Sequence, residues 1–234
     1  MTDIVAGDSH TVAYNTGLNC VYIWGCYRNV SKGFIHDPWE FPTRYAKDIL
    51  SARVRITKIV SGAHHSLMHT NVAATKKEPA KTKVFAWGCI ESGKLGRDSN
   101  TRARDQQGLT TSPIHIKKAA KVFCGAYHSF VQTTKGELLA FGLNNFGQLG
   151  IGTLGETCIP TSVEELKDKE IVDLVGGEHH SMCLTDDGSV FVWGKNDEGQ
   201  IGQGNTYTEI KQKHLQVVAK WQEERRVKLE EKRK

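Results

Sequence analysis

The sequence predicts an all-β fold: a partial β-propeller assembled from four copies of one module of roughly 50 residues. Three observations carry this. The tetrads Gly7-Asp8-Ser9-His10, Gly62-Ala63-His64-His65, Gly125-Ala126-Tyr127-His128 and Gly177-Glu178-His179-His180 each precede Thr or Ser and an apolar stretch. Downstream of each stands an aromatic-glycine pair: Trp24-Gly25, Trp87-Gly88, Phe141-Gly142 and Trp193-Gly194. After the last three pairs a G-x-[LI]-G element follows, closing at Gly96, Gly150 and Gly202.

Within a copy the pattern is strand-like. Leu138 to Gly142 and Val190 to Gly194 are short apolar runs, and each is preceded by a turn signal, Lys135-Gly136 or Asp187-Gly188, where glycine accepts positive φ. The copies fall near 3–50, 56–115, 119–165 and 170–210, so the propeller is expected over 1–210. The first copy departs most. From Trp24 to Gly33 it runs nine residues where its sisters take six, and the excess predicts a protruding turn over Arg28, Asn29, Val30, Ser31 and Lys32. The second copy is lengthened over Thr75 to Lys83, which predicts a solvated hairpin tip, and after Gly96 it holds a loop with Arg97, Arg102 and Arg104. From 211 to 234 glycine and proline vanish and i,i+4 pairs such as Glu224 with Lys228 appear, so a charged tail, helical or disordered, is expected there.

Composition narrows the function. Mean hydropathy is -0.43 and charged residues make up 24%, the balance of a globular domain. No apolar run reaches the roughly 18 residues of a membrane span, and the opening residues lack a basic start and an apolar core, so neither a span nor a secretory signal is expected. The six cysteines show no C-x-x-C spacing, and free thiols in a reduced compartment are expected. Net charge is +5, but residues 209–234 carry nine Lys or Arg against five Glu, so the body is nearly neutral. No P-loop or nucleophilic triad signature is present; we expect no covalent chemistry, no cofactor and no small-molecule substrate.

The modules, G-x-x-H-[ST] then apolar-W-G then G-Q-L-G, resemble the RCC1 repeat over roughly residues 3 to 205. Closer similarity to the members that exchange guanine nucleotide on the small GTPase Ran lies in Ala6 to Thr11 with Ile23 to Asn29, in Phe123 to Tyr127 with Phe141 to Asn145, and in Leu95 to Leu109. The resemblance implies a seven-bladed ring, of which four repeats supply a little over half. It also implies a nuclear, chromatin-associated exchange factor whose wedge is the turn Arg28 to Lys32. The alternative is a non-catalytic scaffold binding chromatin or a ubiquitin-pathway partner.

The copies act as controls for one another. What recurs holds blades together, so His10, His65, His128 and His180 and the aromatic-glycine pairs are expected to be architectural. What varies is free for function, which singles out the residues between Gly and His. The resemblance places these loops on the GTPase face and puts Asp8, His64 and His179 among the contacts; where Ala63-His64 stand, the family usually has Asn-Asp. It further assigns Arg97, Arg102 and Arg104 to the acidic surface of nucleosomal histones, suited to arginine's planar fork. The spacing of His64, His65 and His69 admits a metal, but no carboxylate or thiol accompanies them, and none is expected.

Overall fold

The computed structural model describes residues 2–29, 33–97 and 111–214. They form four antiparallel four-stranded sheets, each one propeller blade. Blade 1 holds β1 (Asp3–Ala6), β2 (His10–Asn15), β3 (Cys20–Gly25) and β6 (Trp39–Tyr45), with the two-residue strands β4 (Arg28–Asn29) and β5 (Gly33–Phe34) paired outside it. Blade 2 holds β7 (Val54–Ser61), β8 (His65–Val72), β9 (Lys81–Gly88) and β10 (Ser112–Ile114). Blade 3 is β11 (Ala119–Cys124), β12 (His128–Thr133), β13 (Leu138–Gly142) and β14 (Thr157–Ser162). Blade 4 is β15 (Ile171–Gly176), β16 (His180–Thr185), β17 (Val190–Gly194) and β18 (Glu209–His214).

One expectation is corrected. The change to a charged tail was placed at 211, yet β18 runs to His214 and pairs with β17 through Val192 and Lys213. The outermost strand of a blade is half solvated and needs few apolar residues, so Glu209 to His214 reads as tail in the sequence while completing a sheet. Residues 215–234 lie outside the described residues. The lengthened turn of blade 2 joins β8 to β9, with its tip bound by Thr75 Oγ1, which accepts from the amides of Lys77 and Glu78.

Packing follows the period of two along each strand. One face of each sheet looks to the preceding blade, the other to the following one. The core accordingly divides into three clusters, one per joint. Val12, Ile23, Ile59 and Trp87 fill joint 1–2. Leu67, Val84, Val122 and Phe141 fill joint 2–3, and Phe130, Leu138, Leu174 and Trp193 fill joint 3–4.

The tetrads have a steric reason. In each, the histidine ring folds back over the glycine three residues before it: a Cβ at Gly62 would stand 2.3 Å from Cε1 of His65 and 2.5 Å from the Gly125 carbonyl oxygen. Only a residue without a side chain leaves that space. The aromatic-glycine exit is fixed by backbone: Gly88 has φ +108°, and a Cβ there would lie 2.5 Å from the His64 carbonyl oxygen, which instead accepts from the Cys89 amide at 2.7 Å.

Candidate functional site

The recurring histidines join blade to blade. His65 Nε2 stands 2.8 Å from Ser129 Oγ, and His128 Nε2 stands 2.7 Å from Ser181 Oγ. Ser129 and Ser181 donate onward to the carbonyls of Lys94 and Gln148, so each serine accepts from its histidine, which fixes the Nε2–H tautomer. At joint 1–2, His10 Nε2 lies 3.3 Å from Ser66 Oγ. Burial holds His10 and His128 down to about 3 and His65 well below the usual imidazole value, so all three are neutral near pH 7. His69 meets the Ala119 carbonyl through Nε2 and Thr57 through Nδ1. His65 and His69 are therefore engaged with the protein, and among the described residues no cluster suited to a metal ion occurs.

A second ladder, made of backbone, runs beside the first. The amide of Asp8 donates to the Ala63 carbonyl, that of Ala63 to Ala126, and that of Ala126 to Gly177, each at 2.9 Å. The ladder sets the variable tetrad residues side by side on one face. His64 Nε2 lies 3.9 Å from the exposed Asp8 carboxylate. The His64 ring is 6.1 Å from that of Tyr127, Tyr127 is 6.0 Å from His179, and His179 is 5.0 Å from Phe146. Burial lowers the His64 imidazole against the raising pull of Asp8, and Lys94 lowers it further. Lysines flank the aromatic row, Lys94 Nζ 5.4 Å from the Tyr127 ring and Lys195 Nζ 5.3 Å from the Phe146 ring.

Asp8, His64 and His179, singled out by their variability, are thus brought into one row. Arg28 and Asn29 lie in the β4–β5 hairpin, where the Arg28 guanidinium covers the Phe34 ring at 4.9 Å and its charge also lowers the His64 imidazole. Val30, Ser31 and Lys32, the tip of the expected wedge, lie outside the described residues. Arg97 is half-buried and donates to the Ala86 and Ser112 carbonyls at 3.1 and 3.2 Å, tying β9 to β10; Arg102 and Arg104 lie outside the described residues. The sequence reasoning missed Tyr127, Phe146, Lys94 and Lys195. For Lys94 a signal existed: it occupies the position of Gln148 and Gln200 in its sisters and is fully buried, with Nζ 3.4 Å from Cys89 Sγ.

The RCC1-like domain model matches residues 1–232. The chain belongs to the RCC1-like domain family. Among curated family members, protein pim1 of Schizosaccharomyces pombe is 32% identical over 207 residues, 86% of this chain and 36% of that protein. The mouse regulator of chromosome condensation is 29% identical over 226 residues, 87% of this chain and 50% of its own length. The probable human E3 ubiquitin-protein ligase HERC4 is 31% identical over 157 residues, 67% of this chain and 14% of its length. The chain thus spans half or less of the length of each of these three relatives. Among solved structures, yeast RCC1 (Prp20) bound to Kap60 superposes with a TM-score of 0.76 at 21% identity, covering 91% of this chain and 49% of that one. Saccharomyces cerevisiae Prp20p, studied for its binding to Gsp1p and histones, gives 0.71 at 23%, covering 85% and 44%. These likenesses establish the propeller fold.

Proposed function

We propose that this chain carries the GTPase-facing blades of a guanine nucleotide exchange factor for a Ran-like small GTPase, working in the nucleus on chromatin. The observation that carries the proposal is the row Asp8, His64, Tyr127 and His179, held on one face by the amide ladder. Such a row offers a carboxylate and flat aromatic rings on rigid backbone, the composition of a protein-docking surface rather than of a reaction centre. Exchange requires no bond to be made. A protein that binds the nucleotide-free GTPase more tightly than the loaded form lowers nucleotide affinity by the same factor. In this scheme the rim row orients the GTPase, and the turn Arg28 to Lys32 disturbs its phosphate-binding loop.

The test measures release of fluorescent GDP from Ran as the chain is added, together with binding to nucleotide-free Ran. Acceleration is expected, and Asp8→Asn or Tyr127→Ala should reduce it by at least roughly tenfold, equal to about 1.4 kcal/mol, with the fold retained. A folded chain that neither binds nucleotide-free Ran nor speeds release would replace this proposal with a scaffold, the role favoured by the similarity to HERC4.

A further inference from the structure

Joints 2–3 and 3–4 take a hydrogen-bond acceptor from backbone. Ser129 donates to the Lys94 carbonyl and Ser181 to the Gln148 carbonyl, each inside a G-x-L-G turn of the preceding blade, and Trp193 Nε1 donates to the same Gln148 carbonyl at 2.8 Å. The blade 1 sequence has no such element, since Gly33 is followed by Phe34 and Ile35. At joint 1–2 the acceptor is a side chain instead: the Tyr27 hydroxyl accepts from Trp87 Nε1 at 2.7 Å and lies 2.9 Å from Ser66 Oγ. Tyr27 is 0% exposed, and its ring stacks on that of His10 with centroids 3.9 Å apart.

The position of Tyr27, two residues after the glycine of its aromatic-glycine pair, belongs to Ile90, Asn144 and Asn196 in the other copies. Both asparagines are buried and turn inward on their own loops. Asn144 donates through Nδ2 to the Thr153 carbonyl and accepts the Leu149 amide at Oδ1, and Asn196 does the same with Asn205 and Ile201. The Tyr27 side chain leaves the loop for the joint, and the loop is held through its backbone. The Ile35 amide donates to the Tyr27 carbonyl at 2.9 Å, and the Tyr27 amide donates to His36 Nε2 at 3.3 Å. Both legs of the β4–β5 hairpin thus close on one buried residue. Beyond that base the hairpin carries Arg28 and Phe34, both exposed, and the Arg28 charge reaches the His64 imidazole.

We propose that Tyr27 is the positioning residue of the β4–β5 hairpin: its hydroxyl serves joint 1–2 in place of a tight turn, and its buried ring fixes the hairpin base, so that Arg28 meets a partner at the Asp8–His64 end of the row in one orientation. The advantage is one of order. A loop that returns its backbone to the joint cannot stand out, and a long loop without an anchor must be ordered when a partner binds. Tyr27 removes both constraints with one side chain. The inference deepens the exchange proposal and rests on it for the identity of the partner, whereas the anchoring does not depend on it.

Amide hydrogen exchange and nucleotide-release kinetics on the full chain test it together. Tyr27→Asn installs the residue of blades 3 and 4, and His36→Ala frees the Tyr27 amide without entering the joint. In both, the Ile35 amide should exchange at least roughly tenfold faster than in the unchanged chain, while amides of β12, two blades away, keep their protection. With Ran loaded with fluorescent GDP, the release rate at saturating chain should fall at least roughly tenfold while the half-saturating concentration moves by less than about threefold, the split expected of a residue that orients rather than docks. Tyr27→Phe keeps the ring against His10 and loses only the hydroxyl. It should lower the thermal midpoint, because Trp87 Nε1 loses its acceptor, yet keep both kinetic values, which separates positioning from stability. Unchanged Ile35 exchange in both variants, equal losses of rate and half-saturation, or a release rate as low in Tyr27→Phe as in Tyr27→Asn would each overturn the proposal. A chain without any effect on Ran would end the exchange reading, and the Ile35 exchange rates would then decide the anchor by themselves.

Discussion

Ser129 accepts a hydrogen bond from His65 at 2.8 Å and donates one to the Lys94 carbonyl at 3.0 Å. One hydroxyl therefore ties the ring of blade 2 to the loop that follows β9, inside a site closed to water. Its loss strands two buried partners. Ser129→Ala should cost about 1–3 kcal/mol in a denaturant titration, as expected when buried polar groups lose a hydrogen bond. A cost within a few tenths of a kcal/mol would mean that the clamp contributes nothing to the joint.

The neutral histidines make stability depend on acid. His10 and His128 are held at about 3 and His65 well below its usual value, whereas all three protonate near 6.5 once unfolded. Their folded values are depressed and their charged form is the protonated one, so the unfolded chain binds more protons below pH 6.5. Stability should be level from pH 8 to 7 and fall as pH drops from 6.5 toward 5, by up to about 1.4 kcal/mol per pH unit for each histidine. His65→Gln, which keeps a donor, should remove one proton from the slope. A flat profile from pH 7 to 5 would contradict the burial of all three.

Gly88→Ala places a methyl 2.5 Å from the His64 carbonyl at φ +108°, so no rotation relieves it. The backbone must move, and the thermal midpoint should fall by several degrees, consistent with a loss of about 2 kcal/mol or more. Gly155→Ala is the comparison, with φ +96° and open space around it. It should lose only the smaller conformational part, about 1–2 kcal/mol. Equal losses would show that crowding against His64 is not the reason for glycine at 88.

The arginine loop separates into two tasks. Arg97 binds the Ala86 and Ser112 carbonyls, so Arg97→Ala should lower stability. If the loop meets the acidic surface of nucleosomes, Arg102→Ala with Arg104→Ala should weaken nucleosome binding several-fold, leave the melting temperature alone and spare action on the GTPase. Unaltered nucleosome binding in that double variant would remove histones from the proposed partners.

Much of the scaffold was readable because the repeats label it. Each tetrad, aromatic-glycine pair and turn glycine marks a place where the backbone tolerates no side chain or where a ring must fill a joint, and four copies make the pattern visible. The residues between Gly and His, Asp8, His64 and His179 among them, stand out in the sequence for the opposite reason, as variation within a fixed frame. Tyr127 escaped notice although it lies in the same variable pair. Phe146 and Lys195 come from a different loop and reach the row only through the fold, which no spacing reveals. The strand β18 was missed because its polar residues satisfy a sheet edge and a solvated tail equally well.

The division of the core into three clusters, one per joint, means that each blade senses only its neighbours. The molecule is then energetically a short line of units, with blades 2 and 3 held on both sides and blades 1 and 4 on one. Resistance to opening is graded along the chain, greatest in β8 and β12, where every residue from His65 to Thr70 and from His128 to Thr133 is buried, and lower in β1, where none is, and in β15, where Ile171 and Leu174 are. A row of side chains that runs from blade 1 to blade 4 is consequently anchored at its centre beside the most deeply buried strands and, at Asp8 and His179, beside less protected ones.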